Sequence, residues 1–154
     1  MTDYDSQARR RLDGFTRELD AVGARLQVAA TSSSLEHARV AARDILSAPE
    51  RPTAIMAHYD ELALGAMLAA RDLGLAVPAD VSIMGYDDGP SAATAGLSTV
   101  RQPFVESGIA AVQVLRAAMR GSAGPRTVTM LDCTLVARQS TASVSASTSI
   151  APTF

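Results

Sequence analysis

The segment RPTAIMAHYDELALGAMLAARDLGLAVPADVSIMGYDD, residues 51–88, decides the fold because it encodes one complete strand–helix–strand unit. Its first apolar run, residues 53–57, predicts a short strand, and a helix is expected to follow with Asp60 as its N-cap. Gly74 stands where a left-handed residue would end that helix, and a second strand is predicted over residues 81–84. Ligands of an open parallel sheet lie beyond the carboxyl ends of its strands, so the polar residues after both runs should share one crevice. These are Tyr59, Asp60, Tyr86, Asp87 and Asp88.

Apolar spacing also predicts the elements on either side of this unit. They are a helix over residues 7–22, a strand over 26–30, a helix that begins at the capping-box pattern Ser33-Ser34-Leu35-Glu36 and ends before Pro49, a strand over 97–101, a helix over 105–119, and two closing strands over 127–131 and 134–137. The alternation of strands and helices predicts an α/β fold, a three-layer lobe with a parallel sheet between helices. The uncharged Ser/Thr/Ala-rich tail, residues 139–154, is expected to be disordered.

Length and composition limit what these residues can do. At 154 residues the chain fits one domain with room for a core. Its formal net charge is −2, and its basic residues are scattered apart from the run Arg9 to Arg11, so direct DNA binding is not expected. No apolar run approaches a membrane span, and MTDYDSQ is not a secretory signal. We therefore expect a cytoplasmic location without membrane contact.

Residues suited to metal binding or catalysis are few. Cys133 is the single cysteine, which excludes an intrachain disulfide and a cysteine-based zinc site. His37 and His58 have no metal-ligand spacing with each other or with Cys133. We find no nucleophile elbow, phosphate loop or histidine–carboxylate set. The sequence therefore predicts no metal, no cofactor and no catalytic residue, and an enzyme on a doubly wound sheet is the least favoured reading.

Three stretches, RPTAIMAHYDELALGAM, DLGLAVPADVSIMGYDD and LSTVRQPF, resemble in order and spacing the effector-binding domain of the lactose/galactose-repressor family of bacterial transcription regulators. The resemblance covers about residues 9–138. It implies a periplasmic-binding-protein-like type I fold, in which residues 1–138 form the C-terminal part of the effector-binding domain. That lobe would be incomplete, because the family's first strand precedes the first residue here. Residues 102–121 would resemble a segment of the family's other lobe.

That family joins a two-lobed domain to an N-terminal helix-turn-helix, which these residues do not contain. The resemblance therefore implies a small-molecule effector, either a sugar or a nucleoside-like molecule, and a homodimer in the parent regulator. Operator DNA would be read only through a domain absent from this chain. A transport-type sugar-binding protein shares the fold and is the main alternative, although it would be expected to carry a secretory signal and to lack LSTVRQPF.

The resemblance points to Arg11 and Asp87 as effector ligands. It implies that Arg11, in RRRLDGF, projects into the cleft, where a guanidinium fork can donate to two acceptors at once. Asp87 would accept hydrogen bonds from vicinal hydroxyls of the effector. The alternatives are a solvated arginine on a helix face and two aspartates that merely serve their turn. Asp88 is expected in that second role, capping the turn through Gly89 and Pro90.

Tyr59 and Ser33 depart from the family pattern. Tyr59 stands where the family often has asparagine, and it offers a ring face and one hydroxyl instead of an amide. Several members have an aromatic residue that stacks on the effector near Ser33, whereas TSSS has none. Both residues are expected to face a smaller, more polar or differently oriented effector, although helix capping is the simpler role for Ser33.

An apolar stripe on the central helix has two interpretations. Leu64, Met67 and Leu68 recur at helical spacing, which is typical of a core-facing stripe. In the family this helix also faces the partner subunit, so the outward residues of the stripe are expected to form a two-fold dimer surface.

Overall fold

The structure is a computed structural model that describes residues 3–121 and 128–143. The helices are α1 (Asp3–Ala21), α2 (Leu35–Leu46), α3 (Asp60–Asp72), α4 (Pro90–Thr94) and α5 (Phe104–Met119). The strands are β1 (Ala54–Met56), β2 (Ser82–Met84), β3 (Thr99–Arg101) and β4 (Thr134–Val136). Within the described ranges no helix combines the length and apolar character that crossing a bilayer requires.

The central unit β1–α3–β2 forms as predicted, with β1 and β2 adjacent and parallel. Ile55 pairs with Ile83 in the middle of this register. Met84 continues the parallel pairing through a bridge to Ser98, which brings β3 next to β2. β4 instead pairs antiparallel with β3. The four strands therefore form two two-stranded sheets, β1 with β2 and β3 with β4, which isolated parallel bridges join between β2 and β3.

Small residues let α2 and α3 pack closely against each other. A Cβ at Gly65 of α3 would lie 2.5 Å from the Leu35 carbonyl oxygen and 2.9 Å from the Ala38 Cβ, so glycine is required at this contact. The inner face of α3 packs on the sheet through alanines, and the buried core also takes in residues of β2 and of the segments that flank it. Its fully covered members are Ala63, Ala69, Ala70, Val81, Ile83, Ala92 and Leu97. This core holds the carboxyl ends of β1 and β2 at one edge of the sheet.

The helix ends agree with the sequence at one terminus and differ at two others. Gly74 follows the last turn of α3 with φ of 70°, the left-handed conformation predicted for it. Asp60, however, is the first residue of α3 and not its N-cap, which is Tyr59. The N-cap of α2 is Ser34, which makes no side-chain capping hydrogen bond. The predicted capping box is therefore wrong.

Two predicted strands are not observed. Residues 26–30 form no strand and are exposed, and residues 128–131 also form no strand, while residue 127 lies outside the described residues. A strand needs a neighbour to complete its backbone hydrogen bonds. Neither segment has one among the described residues, so apolar composition alone did not produce a strand.

The first residues of the predicted disordered tail are ordered. Ser140 is only 2% exposed, and its Oγ accepts from the Ser98 N–H at 2.8 Å while donating to the Ile83 carbonyl oxygen. The prediction that disorder begins at residue 139 is therefore wrong at this point. Residues 144–154 of that tail lie outside the described residues.

Helix α5 stands apart from the compact body of the protein. None of its residues is buried, and its apolar side chains are largely exposed, among them Phe104, Ile109, Val112 and Leu115. Here it is uncovered. Its assignment to another lobe stays a prediction.

Candidate functional site

Arg11 connects α1 to the ends of both β1 and β2. Its Nη1 donates to the carbonyl oxygen of His58, just after β1, at 2.9 Å. Its Cζ lies 3.6 Å from the centroid of the Tyr86 ring, just after β2, which is a cation–π contact. The helix-face arginine is thus half-buried at the carboxyl edge of the sheet, where the sequence predicted a crevice. The hydrogen bond to His58 uses one of the five N–H donors of the guanidinium.

Asp87 lies next to Tyr86 in an unusual backbone conformation. Its φ is 110°, and its N–H donates to the Val100 carbonyl oxygen at 2.9 Å. Its half-buried carboxylate accepts a hydrogen bond from Nε2 of Gln102. Sequence reasoning did not single out Gln102, although it lies in the motif LSTVRQPF. The amide orients the Asp87 carboxylate, so Gln102 belongs to the site.

Asp60 fixes the backbone of the site from inside the protein. It is 5% exposed, and its carboxylate accepts from the Gly89 N–H at 2.8 Å and from the Thr99 hydroxyl at 2.6 Å. Its own N–H donates to the Tyr86 carbonyl oxygen at 2.9 Å. A side chain at Gly85 would collide with the Asp60 carboxylate. Asp60 therefore joins the start of α3 to the loop after β2 and faces the interior.

Asp88 forms ion pairs and does not cap its own turn. Its Oδ2 lies 2.6 Å from Nε of Arg101, and its Oδ1 lies 2.6 Å from Nη2 of Arg138. The hydrogen bond from Arg138, aided by Arg101, holds the pKa of this carboxyl below its usual value despite burial. The Gly89 N–H, which the sequence assigned to Asp88, binds Asp60 instead. The predicted turn-capping role is therefore wrong.

His58 and Tyr59 form the wall of the site at the end of β1. Their rings meet edge to face, with centroids 4.7 Å apart and planes at 81°. Nε2 of His58 is buried and has no hydrogen-bond partner among the described residues. Burial lowers the pKa of His58, and the positive charge of Arg11 lowers it further. An imidazole in these surroundings favours its neutral form.

The segment before β4 also contacts the site. The Tyr86 hydroxyl lies 3.6 Å from Sγ of Cys133, which is otherwise exposed. Burial raises the pKa of Tyr86, and the hydrogen bond with Cys133 adds to the shift. In residues 3–121 and 128–143 no group of three or more His, Cys, Asp or Glu side chains is arranged to hold a metal ion.

Three of the four predicted ligand-binding residues lie together at one edge of the sheet, and the fourth, Ser33, lies apart from them. Arg11, Tyr59 and Asp87 are joined through contacts with His58 and Tyr86 at the ends of neighbouring strands. Ser33 is exposed just before α2, and its place in the cleft stays a prediction.

The apolar stripe of α3 borders a groove that also reaches the first residue of α2. The groove has a volume of about 470 Å³, and its apolar lining includes Leu35, Leu64, Met67, Leu68, Leu75 and Val77. Leu64 and Met67 also pack in part against the core. The stripe is therefore half-buried against the core and still reaches an open surface, and its role in a dimer stays a prediction.

Comparisons with known proteins agree with this fold. A family model described as a periplasmic binding protein-like domain matches residues 1–141. The chain is 36% identical over 144 residues to the HTH-type transcriptional regulator reg1 of Streptomyces lividans, covering 87% of this chain and 41% of reg1.

Solved structures lead to the same group of proteins. A LacI family transcriptional regulator from Arthrobacter sp. FB24, solved in complex with lactose, superposes with a TM-score of 0.75 at 31% identity, covering 82% of this chain and 48% of that one. The dimeric Lac repressor with an 11-residue C-terminal deletion gives a TM-score of 0.77 at 32% identity, covering 87% and 50%.

The match is extensive for this chain but partial for its relatives. The chain spans about half or less of the length of the proteins it matches. The predicted periplasmic-binding-protein-like α/β fold and the resemblance to the repressor family are both confirmed. The relatives are transcription regulators, which favours this class over a transport protein or an enzyme. The chain therefore belongs to the family of periplasmic-binding-protein-like domains, and it corresponds to part of the effector-binding domain of LacI-family transcription regulators.

Proposed function

We propose that this chain is part of the effector-sensing domain of a bacterial, cytoplasmic transcription regulator, and that Arg11, Tyr59 and Asp87 bind a small polar effector. The observation that carries the proposal is the convergence of Arg11 and the Tyr86–Asp87 pair at the ends of two neighbouring parallel strands. Strand ends at one edge of such a sheet are the usual position of a ligand. A donor fork and a carboxylate at this place suit a ligand rich in hydroxyls.

The chemistry of these groups favours a sugar or a nucleoside. The Asp87 carboxylate, oriented by Gln102, only accepts hydrogen bonds, so it pairs well with two adjacent hydroxyls. Arg11 supplies donors for ring or hydroxyl oxygens, and Tyr59 supplies an aromatic surface and a hydroxyl. Lactose in the similar Arthrobacter regulator supports a sugar. The small Ser33, if it faces the cleft, leaves room where a large aromatic residue would not.

Effector binding would control DNA binding only through a second lobe. A ligand shifts a conformational equilibrium by its difference in affinity between the two forms. We propose that the effector bridges Arg11 and Asp87 to residues of another lobe in the whole regulator and so favours a closed form. DNA would be read by a domain outside these residues.

The groove beside α3 supports a homodimer of the regulator. Leu64, Met67 and Leu68 present apolar surface next to an open groove, which a symmetry-related copy of α3 would cover. The similar Lac repressor structure is dimeric. We therefore assign Leu64, Met67 and Leu68 to a two-fold interface.

Nuclear magnetic resonance of the 154-residue chain tests the effector site. The chain is titrated separately with lactose, cellobiose and adenosine, each up to tens of millimolar or to its solubility limit. At least one of these compounds should shift the amide resonances of Arg11, Tyr59 and Asp87. Asp87→Asn should abolish those shifts, whereas Asp44→Asn on the exposed face of α2 should leave them intact. Shifts that map elsewhere, equal effects of the two variants, or no response to any probe would each overturn the proposed site.

A further inference from the structure

Strands β3 and β4 are the two connections through which the chain leaves the compact body and returns to it. β3 leads directly into α5, and β4 follows the segment after α5. Among residues 104–121 and 128–133 not one is buried. The backbone therefore connects this protruding segment to the body only through β3 and β4.

Both connections are held by the same carboxylate. Arg101 is the last residue of β3, and Arg138 lies two residues beyond β4. Their guanidinium groups meet at Asp88, whose side chain is only 7% exposed, with nitrogen–oxygen distances of 2.6 Å on each side. Arg138 is further fixed because its Nη1 donates to the Leu97 carbonyl oxygen at 2.7 Å. Asp88 thus ties the loop after β2 to both connecting strands.

The same loop presents Asp87 in a conformation that its surroundings must maintain. Asp87 and Asp88 have φ values of 110° and 60°, in the region that non-glycine residues rarely adopt. The Asp87 N–H binds the Val100 carbonyl oxygen, one residue before Arg101. The direction of the Asp87 carboxylate is therefore set by contacts with β3 and by the anchoring of its neighbour.

We propose that Asp88, Arg101 and Arg138 form a latch that positions Asp87 and makes its position depend on strands β3 and β4. Asp88 is a positioning residue, since it is enclosed by the two arginines and acts on a ligand only through Asp87. The role of the latch in effector binding rests on the proposed function of the cleft. Its control of the Asp87 backbone does not depend on that function.

Removal of the Asp88 charge should release the loop locally. In Asp88→Asn, one weak acceptor faces two arginines, so the loop opens more often while the packing of α2 on α3 is unaffected. In the 154-residue chain, amide hydrogen exchange at Asp87 should be faster than in the wild type by about tenfold or more, whereas exchange in α3 should be unchanged. The matched control is Asp72→Asn, which removes another paired carboxylate, that of the Arg39 ion pair at the end of α3. It should leave Asp87 exchange unchanged.

A double variant separates positioning from simple stabilisation. Asp88→Asn with Arg138→Gln removes the more buried of the two charges left without a partner, so it should recover most of the midpoint of thermal unfolding lost in the single variant. Exchange at Asp87 should nevertheless stay about tenfold faster than in the wild type, because the latch is still absent. Should Asp88→Asn fail to fold, Arg138→Lys serves instead. Its ammonium lacks the fixed fork with which two separate nitrogens of Arg138 reach Asp88 and the Leu97 carbonyl oxygen, so faster exchange at Asp87 is expected there too.

The outcomes distinguish the latch from the effector site. Unchanged exchange at Asp87 in Asp88→Asn, or equal acceleration throughout the chain, would overturn the latch. Full recovery of Asp87 protection in the double variant would also overturn it. If titrations with lactose, cellobiose and adenosine shift no amide in the wild type, only the proposed effector site is refuted. The exchange experiment still tests the latch independently.

Discussion

The guanidinium of Arg11 lies 3.6 Å from the ring centroid of Tyr86, so a residue early in the chain covers the strand end that precedes Asp87. The same guanidinium donates to the His58 carbonyl oxygen after the neighbouring strand. One side chain therefore joins α1 to β1 and β2 and at the same time lies beside the proposed effector. Stability and the proposed ligand binding would therefore depend on the same side chain.

Arg11→Met is expected to lower the free energy of unfolding by about 1–2 kcal/mol, since it removes one cation–π contact and one hydrogen bond but keeps an apolar stem. Urea denaturation measures the change. Arg10→Met is the matched control, because Arg10 is exposed on the same helix, and it should stay within about 0.5 kcal/mol of the wild type. A loss in Arg10→Met equal to that in Arg11→Met would contradict the assignment of these contacts.

Asp87→Ala is expected to weaken effector binding in the intact regulator by roughly 2–3 kcal/mol, through the loss of a charged hydrogen bond and a stranded donor on the ligand. Calorimetry with the effector gives this number. The isolated 154-residue chain should bind weaker than micromolar even without the change, since a ligand held by a single wall buries little of its surface. An unchanged affinity in Asp87→Ala would remove this residue from the site.

The sequence predicted the elements that depend on local pattern and missed the contacts that depend on distance along the chain. Adjacent parallel strands and the left-handed Gly74 follow from residues within the segment itself. Asp60 was read as an N-cap, but its partners lie 29 and 39 residues away. Asp88 was read as a turn residue, but its arginines lie 13 and 50 residues away. No local pattern carries such pairings.

Two of the strand predictions failed for a related reason. Residues 26–30 have strand-like composition, yet a strand exists only when another strand completes its hydrogen bonds. Ser140 shows the opposite case, since a residue in a polar tail is ordered by contacts with Ile83 and Ser98. In the site itself, Arg11 and Asp87 were named from the family resemblance, whereas Gln102 emerged only from the geometry.

The lowered pKa of His58 predicts a loss of stability at mildly acidic pH. Burial and Arg11 hold the folded-state pKa below the usual 6.5, so the unfolded chain binds more protons in the interval below that value. The contribution is fully present above about pH 6.5 and is lost as the pH falls from there towards the folded-state pKa. Urea unfolding at a series of pH values measures this slope.

Replacing His58 should flatten the pH dependence. His58→Gln removes the titrating ring, whereas His37→Gln, at an exposed position on α2, is the control and should retain the slope. The lowered pKa of Asp88 acts in a separate window, since its stabilising effect is lost only as the pH falls below about 3.8. A slope near pH 6 that persists in His58→Gln would show that another group is responsible.

Leu68→Glu is expected to weaken self-association of the chain by placing a charge in the groove beside α3. Leu68 is only half-buried, so the fold should tolerate the change. Sedimentation velocity over a range of concentrations measures the shift from dimer to monomer. Leu115→Glu, on the exposed face of α5, is the matched control. Dissociation caused by Leu115→Glu but not by Leu68→Glu would move the interface from α3 to α5.

The 154-residue chain itself is expected to show no specific DNA binding and no effector-dependent repression. Specific binding needs basic residues clustered against the phosphate backbone and side chains that reach the base edges, whereas this chain has a net charge of −2. At most it would occupy the surface around Leu64, Met67 and Leu68 of a complete regulator and so act in a dominant-negative way. A gel-shift assay of the purified chain with DNA from upstream of its own gene, with and without lactose, tests this expectation. Specific retardation that changes with the sugar would refute it, because these residues would then read DNA and transmit an effector signal.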